Sequence, residues 1–315
     1  MFAAESVHAS PVSARPIERG SAPASARPIA AVEHVVIISL DGLRPDLLLR
    51  ADTPVVHGLM RDGSYSFWAH TTDVAITLPS HTSMLTGVTP AKHHVLWNSD
   101  DALHLRSFPA RPTILELAHG AGLTSAMIAG KSKFRTLDKP GTIDRAFFPP
   151  AMNASVGNAT VTENALKLYA EGERRPDLMF VHFPDVDAAG HARGWGSPEQ
   201  IAAIEETDRE IGRLLGKLDR AHTIILVSAD HGGEGVNHGA HDPRSRFIPW
   251  IISGPGVKHG YDLTRETGLQ IATEDTAATA LWLLGLPLPS YLDGKVVRGA
   301  FEGSAADVAV RHRGR

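Results

Sequence analysis

The 315-residue chain reads as an α/β fold, a mostly parallel central sheet with helices on both faces. Three observations predict it. Short apolar runs rich in β-branched residues alternate with segments of helical period, which is the pattern of strands joined by crossover helices. Those runs are apolar at consecutive positions rather than alternate ones, as strands covered on both faces require. The composition, 43% hydrophobic and 21% charged, is that of a globular chain.

Residues 1–32 contain SPVSARPIERGSAPASARPIAA, rich in Ala, Ser, Pro and Arg and without periodicity. They read as a disordered leader that lacks the apolar core of a signal peptide. A single folded domain is expected over 33–315. Its strands are HVVIISL (34–40), SAMIAG (125–130), LMFVHF (178–183), TIILVSA (223–229) and IPWIIS (248–253). Helical patterns cover 53–63, 79–87, 113–122, 161–172, 197–218 and 273–285. Ser197-Pro198 opens the longest of these with a capping side chain and a proline at the first helical position. Between about 101 and 155 the alternation weakens and prolines recur, so a small cap or lid is expected there. No internal repeat is present.

Composition also excludes function classes. A net charge of -4 gives no electrostatic footprint for nucleic acid. No apolar run approaches the roughly 20 residues of a membrane-spanning helix. With no cysteine among the residues, and 17 histidines and 35 acidic side chains present, any metal must be held by nitrogen and oxygen.

In open parallel sheets, ligands bind beyond the carboxyl ends of the strands. HVVIISL runs straight into Asp41-Gly42. LMFVHF is followed by Asp185, Asp187 and His191, and TIILVSA by Asp230-His231-Gly232-Gly233 and then His238 and His241. Each has a plain reading alone: Asp41 as a turn former, Asp187 and His191 as a surface pair one helical turn apart, the late histidines as loop residues. Together they deliver carboxylates and imidazoles from three strands to one edge, enough for two divalent ions with open positions. Thr77, in TLPSHTSMLTG, is either a helix cap or a nucleophile held at a helix start.

The motifs VIISLDG, TLPSHTSMLTG, DAAGH and ADHGG followed by NHG occur in this order between about Val35 and Pro289. In these motifs the chain resembles the alkaline phosphatase superfamily, in its type I phosphodiesterase/nucleotide pyrophosphatase branch. The resemblance implies two metal ions, zinc with manganese as the alternative. One would be held by Asp187, His191 and His238, with His241 as the alternative to His238. The other would be held by Asp41, Asp230 and His231, with Thr77 as nucleophile and further ligand. It implies a phosphothreonine intermediate. Asn98 matches an asparagine that holds a phosphate oxygen in the diesterases, its other reading being a turn residue. Lys131 and Lys133 resemble a substrate-facing lysine pair of phosphonoacetate hydrolases. The absence of cysteine at position 77 disfavours sulfatase chemistry.

The expected activity is therefore phosphodiester or nucleotide pyrophosphate hydrolysis on a small-molecule substrate. The alternatives are a phosphomonoesterase, a phosphonoacetate-type hydrolase, or a non-catalytic metal-binding relative. Export to the periplasm is expected only by analogy with the family.

Overall fold

The computed structural model describes residues 26–100, 107–239 and 242–303. The first part of the chain forms β1 (His34–Leu40), α1 (Pro45–Arg50), α2 (Pro54–Arg61), β2 (Gly63–His70), α3 (Thr77–Thr86) and α4 (Pro90–His93). There follow α5 (Ile114–Gly120), β3 (Ser125–Ala129), β4 (Arg145–Phe147), α6 (Asn158–Ala170), β5 (Leu178–Phe183) and α7 (Asp185–Arg193). The last third holds α8 (Pro198–Leu215), β6 (Thr223–Ser228), α9 (Pro243–Arg246), β7 (Phe247–Ser253), β8 (Tyr261–Asp262) and α10 (Asp275–Leu283).

The strands make one sheet in the order β4-β3-β5-β1-β6-β7-β2-β8. β1 lies at its centre, parallel to β5 and β6, and β3 continues the parallel array from β5 to β4. β7 runs antiparallel to both β6 and β2, while β8 is parallel to β2. Only β7 is reversed, so β1, β2, β3, β5 and β6 present their carboxyl ends along one edge. β3, β5 and β6 are buried at every position and β1 at all but His34, because helices cover both faces. That two-sided burial is why these strands are continuous apolar runs.

Helix termini follow local chemistry. The Ser197 hydroxyl accepts the Gln200 N–H at the start of α8, with Pro198 in the first turn, and Thr113 accepts the Glu116 N–H at the start of α5. α3 has all ten residues buried and ends at Gly87 in the left-handed conformation. Its cap residue is Ile76, which makes no side-chain bond, so the Thr77 hydroxyl is not spent on capping.

Two features depart from expectation. IPWIIS is the reversed strand β7; apolar runs of either direction look alike when both faces are covered. β2 carries no continuous apolar run. Its burial alternates and its pairing with β7 shifts register between Ser66 and Ala69. Within 101–155, where a small cap is expected, α5, β3 and β4 belong to the body of the fold, and 101–106 lie outside the described residues. At the start of the domain, Val32 is fully buried and Arg27 pairs with Asp177 at 3.0 Å.

Candidate active site

Asp41 is the first residue after the central strand, its N–H bonded to the Phe183 carbonyl on the neighbouring strand at 3.0 Å. Gly42 then turns the chain at a positive φ of 76°. A side chain there would put its Cβ 2.9 Å from the Asp187 Cα, so this glycine lets the Asp41 turn and α7 meet. Gly42 also donates its N–H to Asp230 Oδ1 at 3.1 Å. Gly42→Ala should cost about 2 kcal/mol or more, from the unfavourable φ plus the contact. The urea midpoint should fall with an unchanged m-value.

Three carboxylates gather at this edge, each with one oxygen paired and one not. Asp41 Oδ2 accepts from His182 Nε2 at 2.9 Å and Lys131 Nζ at 2.7 Å. Asp187 Oδ2 accepts from the same Lys131 Nζ at 2.5 Å. Asp230 Oδ1 takes the Gly42 N–H. Asp41 Oδ1, Asp187 Oδ1 and Asp230 Oδ2 are buried without a hydrogen bond. Buried carboxylate oxygens left this way are costly unless a cation completes them.

The histidines are arranged to match. His231, His191 and His238 each donate Nδ1–H to a backbone carbonyl, of Gly232 at 2.8 Å, Val236 at 2.9 Å and Ala75 at 3.0 Å. That fixes the tautomer and leaves each Nε2 lone pair for a ligand, as the outer partners of metal-bound histidines do. His231 Nε2 lies 3.4 Å from Asp41 Oδ1 and 3.2 Å from Asp230 Oδ2. His191 Nε2 is 3.3 Å and His238 Nε2 3.9 Å from Asp187 Oδ1.

Two groups of donor atoms lie within 4.8 Å of one another: Asp41, Asp230 and His231, and Asp187, His231 and His238. The first is the expected trio. In the second, His231 takes the place expected of His191, which stands beside it with its ring 5.0 Å from that of His238. His241 lies outside the described residues. The donor set fits divalent metal ions, and its chemistry is that of nitrogen and oxygen ligands.

Charge in the cluster is unevenly held. Burial pushes the Asp41 pKa up, but the Lys131 ammonium, aided by His182, brings it well below the ordinary carboxylate value. Burial and the Asp41 charge push the Asp187 pKa up, and Lys131, His191 and His231 together bring it below the ordinary carboxylate value. Asp230 is raised well above its usual value by burial and by the charges of Asp41 and Asp187. Burial lowers His231 to about 4 and also lowers His238, which in both cases favours the neutral imidazole.

Thr77 reaches this edge because β2 ends there and residues 71–76 lead directly into α3. Its Oγ1 lies 3.4 Å from His231 Nε2. Asn98 Oδ1 accepts the Leu78 N–H at 3.0 Å and Lys133 Nζ at 3.2 Å, which brings both residues to the start of the Thr77 helix. Burial, then the neighbouring Lys131, lowers the Lys133 pKa. The Lys131 ammonium stands at the same edge, paired with Asp41 and Asp187.

Two buried histidines to which the motifs assign no role support the site from below. His182 bonds Asp41 and accepts the Gly130 N–H through Nδ1 at 3.2 Å. His81 donates Nδ1–H to the Thr77 carbonyl at 2.8 Å and meets Ser39 Oγ through Nε2 at 2.8 Å. A histidine inside the apolar run LMFVHF, one residue before the strand end, is the signal that could have found the first. The Gly232-Gly233 pair is explained by packing. A Cβ on Gly232 would sit 2.1 Å from the Arg244 carbonyl oxygen, and one on Gly233 would enter the Trp195 ring.

Comparison with known proteins agrees with this architecture. An uncharacterized pyrophosphatase/phosphodiesterase of Schizosaccharomyces pombe is 26% identical over 214 residues, 63% of this chain and 44% of that protein. Human ectonucleotide pyrophosphatase/phosphodiesterase family member 7 is 24% identical over 236 residues, 66% of this chain and 49% of that protein. The chain thus spans about half the length of these relatives or less. The structure of murine ectonucleotide pyrophosphatase/phosphodiesterase 5 superposes with a TM-score of 0.70 at 15% identity, covering 85% of this chain and all of that one. An inactive form of the murine protein has been solved in complex with AMP. The fold is that of the alkaline phosphatase superfamily. The sequence profile of the type I phosphodiesterase / nucleotide pyrophosphatase family matches residues 35–244, two thirds of the chain, and the chain belongs to that family.

Proposed function

We propose that this chain is a two-metal-dependent phosphoester hydrolase of the phosphodiesterase/nucleotide pyrophosphatase type, working through a phosphothreonine on Thr77. The observation that carries it is the convergence, next to one threonine hydroxyl, of three unpaired buried carboxylate oxygens and three Nε2 lone pairs. Asp41, Asp230 and His231 would hold one ion beside Thr77, and Asp187, His191 and His238 the other, with His231 close enough to serve both. Divalent ions there supply the charge that acidifies a hydroxyl and offsets negative charge on phosphoryl oxygens.

The chain's own groups do the rest. Thr77 Oγ1 forms a bond to phosphorus as the bond to the leaving oxygen breaks; the hydroxyl proton passes to solvent, and the leaving oxygen takes up a proton from solvent. Water then attacks the phosphothreonine, the Oγ1–P bond breaks and the hydroxyl is restored. His81 holds the Thr77 carbonyl and so fixes the first turn of α3. The helix start itself has little left to offer a phosphoryl oxygen: Asn98 occupies the Leu78 N–H, and Pro79 has none. The Asn98 amide hydrogens, uncommitted among the described residues, and the Lys133 ammonium take that task.

The AMP held by the murine relative makes nucleotide esters the first substrate class to test. Lys133 beside Asn98 favours a second reading on the same scaffold, a phosphonate or monoester substrate with an extra anionic group. Among the described residues no helix is long and apolar enough to cross a membrane. The deciding experiment is a panel on zinc- or manganese-reconstituted protein: bis-nitrophenyl phosphate, nitrophenyl phosphate and phosphonoacetate. The diester should be turned over with the highest kcat/KM. Preference for either of the other two moves the assignment to that class, and no turnover by fully loaded protein removes the hydrolase reading.

A further inference from the structure

Asp41 and Asp187 belong to different proposed ion sites, yet one ammonium joins them. Lys131 enters from the turn after β3, its side chain 13% exposed, and places Nζ 2.7 Å from Asp41 Oδ2 and 2.5 Å from Asp187 Oδ2. Among the described residues no other lysine or arginine pairs with either carboxylate. Without Lys131, three buried carboxylates would face one another with only imidazoles and the Lys133 ammonium, which pairs directly with none of them, to offset their charge, an arrangement that folding tolerates poorly.

We propose that Lys131 is the built-in counter-ion of the metal-free site, and that it competes with divalent ions for the Asp41–Asp187 pair. The inference rests on reading the carboxylate–histidine groups as ion sites. Two effects of the lysine oppose each other. It holds the outer oxygens and so aims the unpaired ones, and an orienting partner of that kind strengthens metal binding about 10- to 100-fold. It also places a fixed positive charge on the far oxygen of each ligand. At an effective dielectric of about 20, charges of +1 and +2 about 5 Å apart repel enough to weaken binding on the order of a thousandfold or more. Repulsion wins. The ammonium therefore preserves an assembled site in the empty protein at the expense of affinity in the loaded one.

The test compares wild type, Lys131→Met and Lys131→Arg as full chains. Each is stripped with chelator, titrated with zinc against a competing indicator, and melted with and without zinc. Lys131→Met should bind zinc at least tenfold more tightly, unfold at a lower temperature when stripped, and gain more from zinc than wild type gains. Lys131→Arg should track wild type. If stripped Lys131→Met does not fold, adding Asp187→Asn, which removes one of the facing charges, should restore a stripped fold. Failure of that rescue counts against the proposal. Zinc binding by Lys131→Met no tighter than by wild type, with stripped stability unchanged, overturns it and leaves the ion sites standing. Absence of zinc binding in all three proteins removes the ion sites themselves, and the counter-ion with them.

Discussion

Thr77→Ala should lower kcat by about 10³-fold or more while leaving zinc content per chain at the wild-type value. The size of the loss follows from the role: without Oγ1 the covalent step disappears, and only direct attack by water on a positioned ester remains. The preserved metal content follows from the geometry. The carboxylate oxygens and imidazoles of the site are anchored by other groups: Lys131 and His182 for Asp41, Gly42 for Asp230, and backbone carbonyls for all three histidines. Thr77 itself is buried at the start of a helix buried throughout, and alanine fits that position without strain. Metal analysis by elemental emission, beside kcat on a nitrophenyl diester, checks both halves. Wild-type kcat in Thr77→Ala would end the covalent route.

His231→Ala should have the second large effect, of a different kind. His231 belongs to both donor groups, and its Nε2 also faces Thr77 Oγ1. Losing it strips a ligand from the cluster on either side of the nucleophile. Both zinc content and kcat/KM should fall, the latter by roughly 100-fold at least, since even outer partners of a metal ligand contribute 10- to 100-fold. His191→Ala, by contrast, removes a side chain 42% exposed at the rim and should cost less zinc. Equal zinc loss in the two variants would show that His231 is not shared.

Much of this arrangement was legible in the sequence, for identifiable reasons. β1, β3, β5 and β6 are covered on both faces and so appear as unbroken apolar runs. The acids and histidines that follow β1, β5 and β6 fall where an open sheet presents its ligands. β2 was hidden because GSYSFWAH packs only alternate residues and changes register midway. With it was hidden the reason Thr77 arrives at the same edge as Asp41. The direction of β7 was unreadable, since a doubly buried strand has the same composition either way. The pairing of Lys131 with Asp41 and Asp187 is not legible in the sequence, because sequence says where a lysine starts and not where its four-carbon stem delivers the charge. His81 and His182 were invisible as positioning residues because their roles depend on what lies across the sheet: Ser39 and the Thr77 carbonyl for one, Asp41 and Gly130 for the other.

Hydrolysis through Thr77 should proceed in two displacements at phosphorus. The most direct test is the stereochemical course at phosphorus, followed with a chiral phosphorothioate diester hydrolysed in heavy-oxygen water by metal-loaded protein. Attack by Thr77 and then by water inverts phosphorus twice, so net retention is predicted, whether or not the intermediate accumulates. Net inversion would contradict the claim, because it would mean that water attacks the ester directly and that the threonine beside His231 never carries the phosphoryl group.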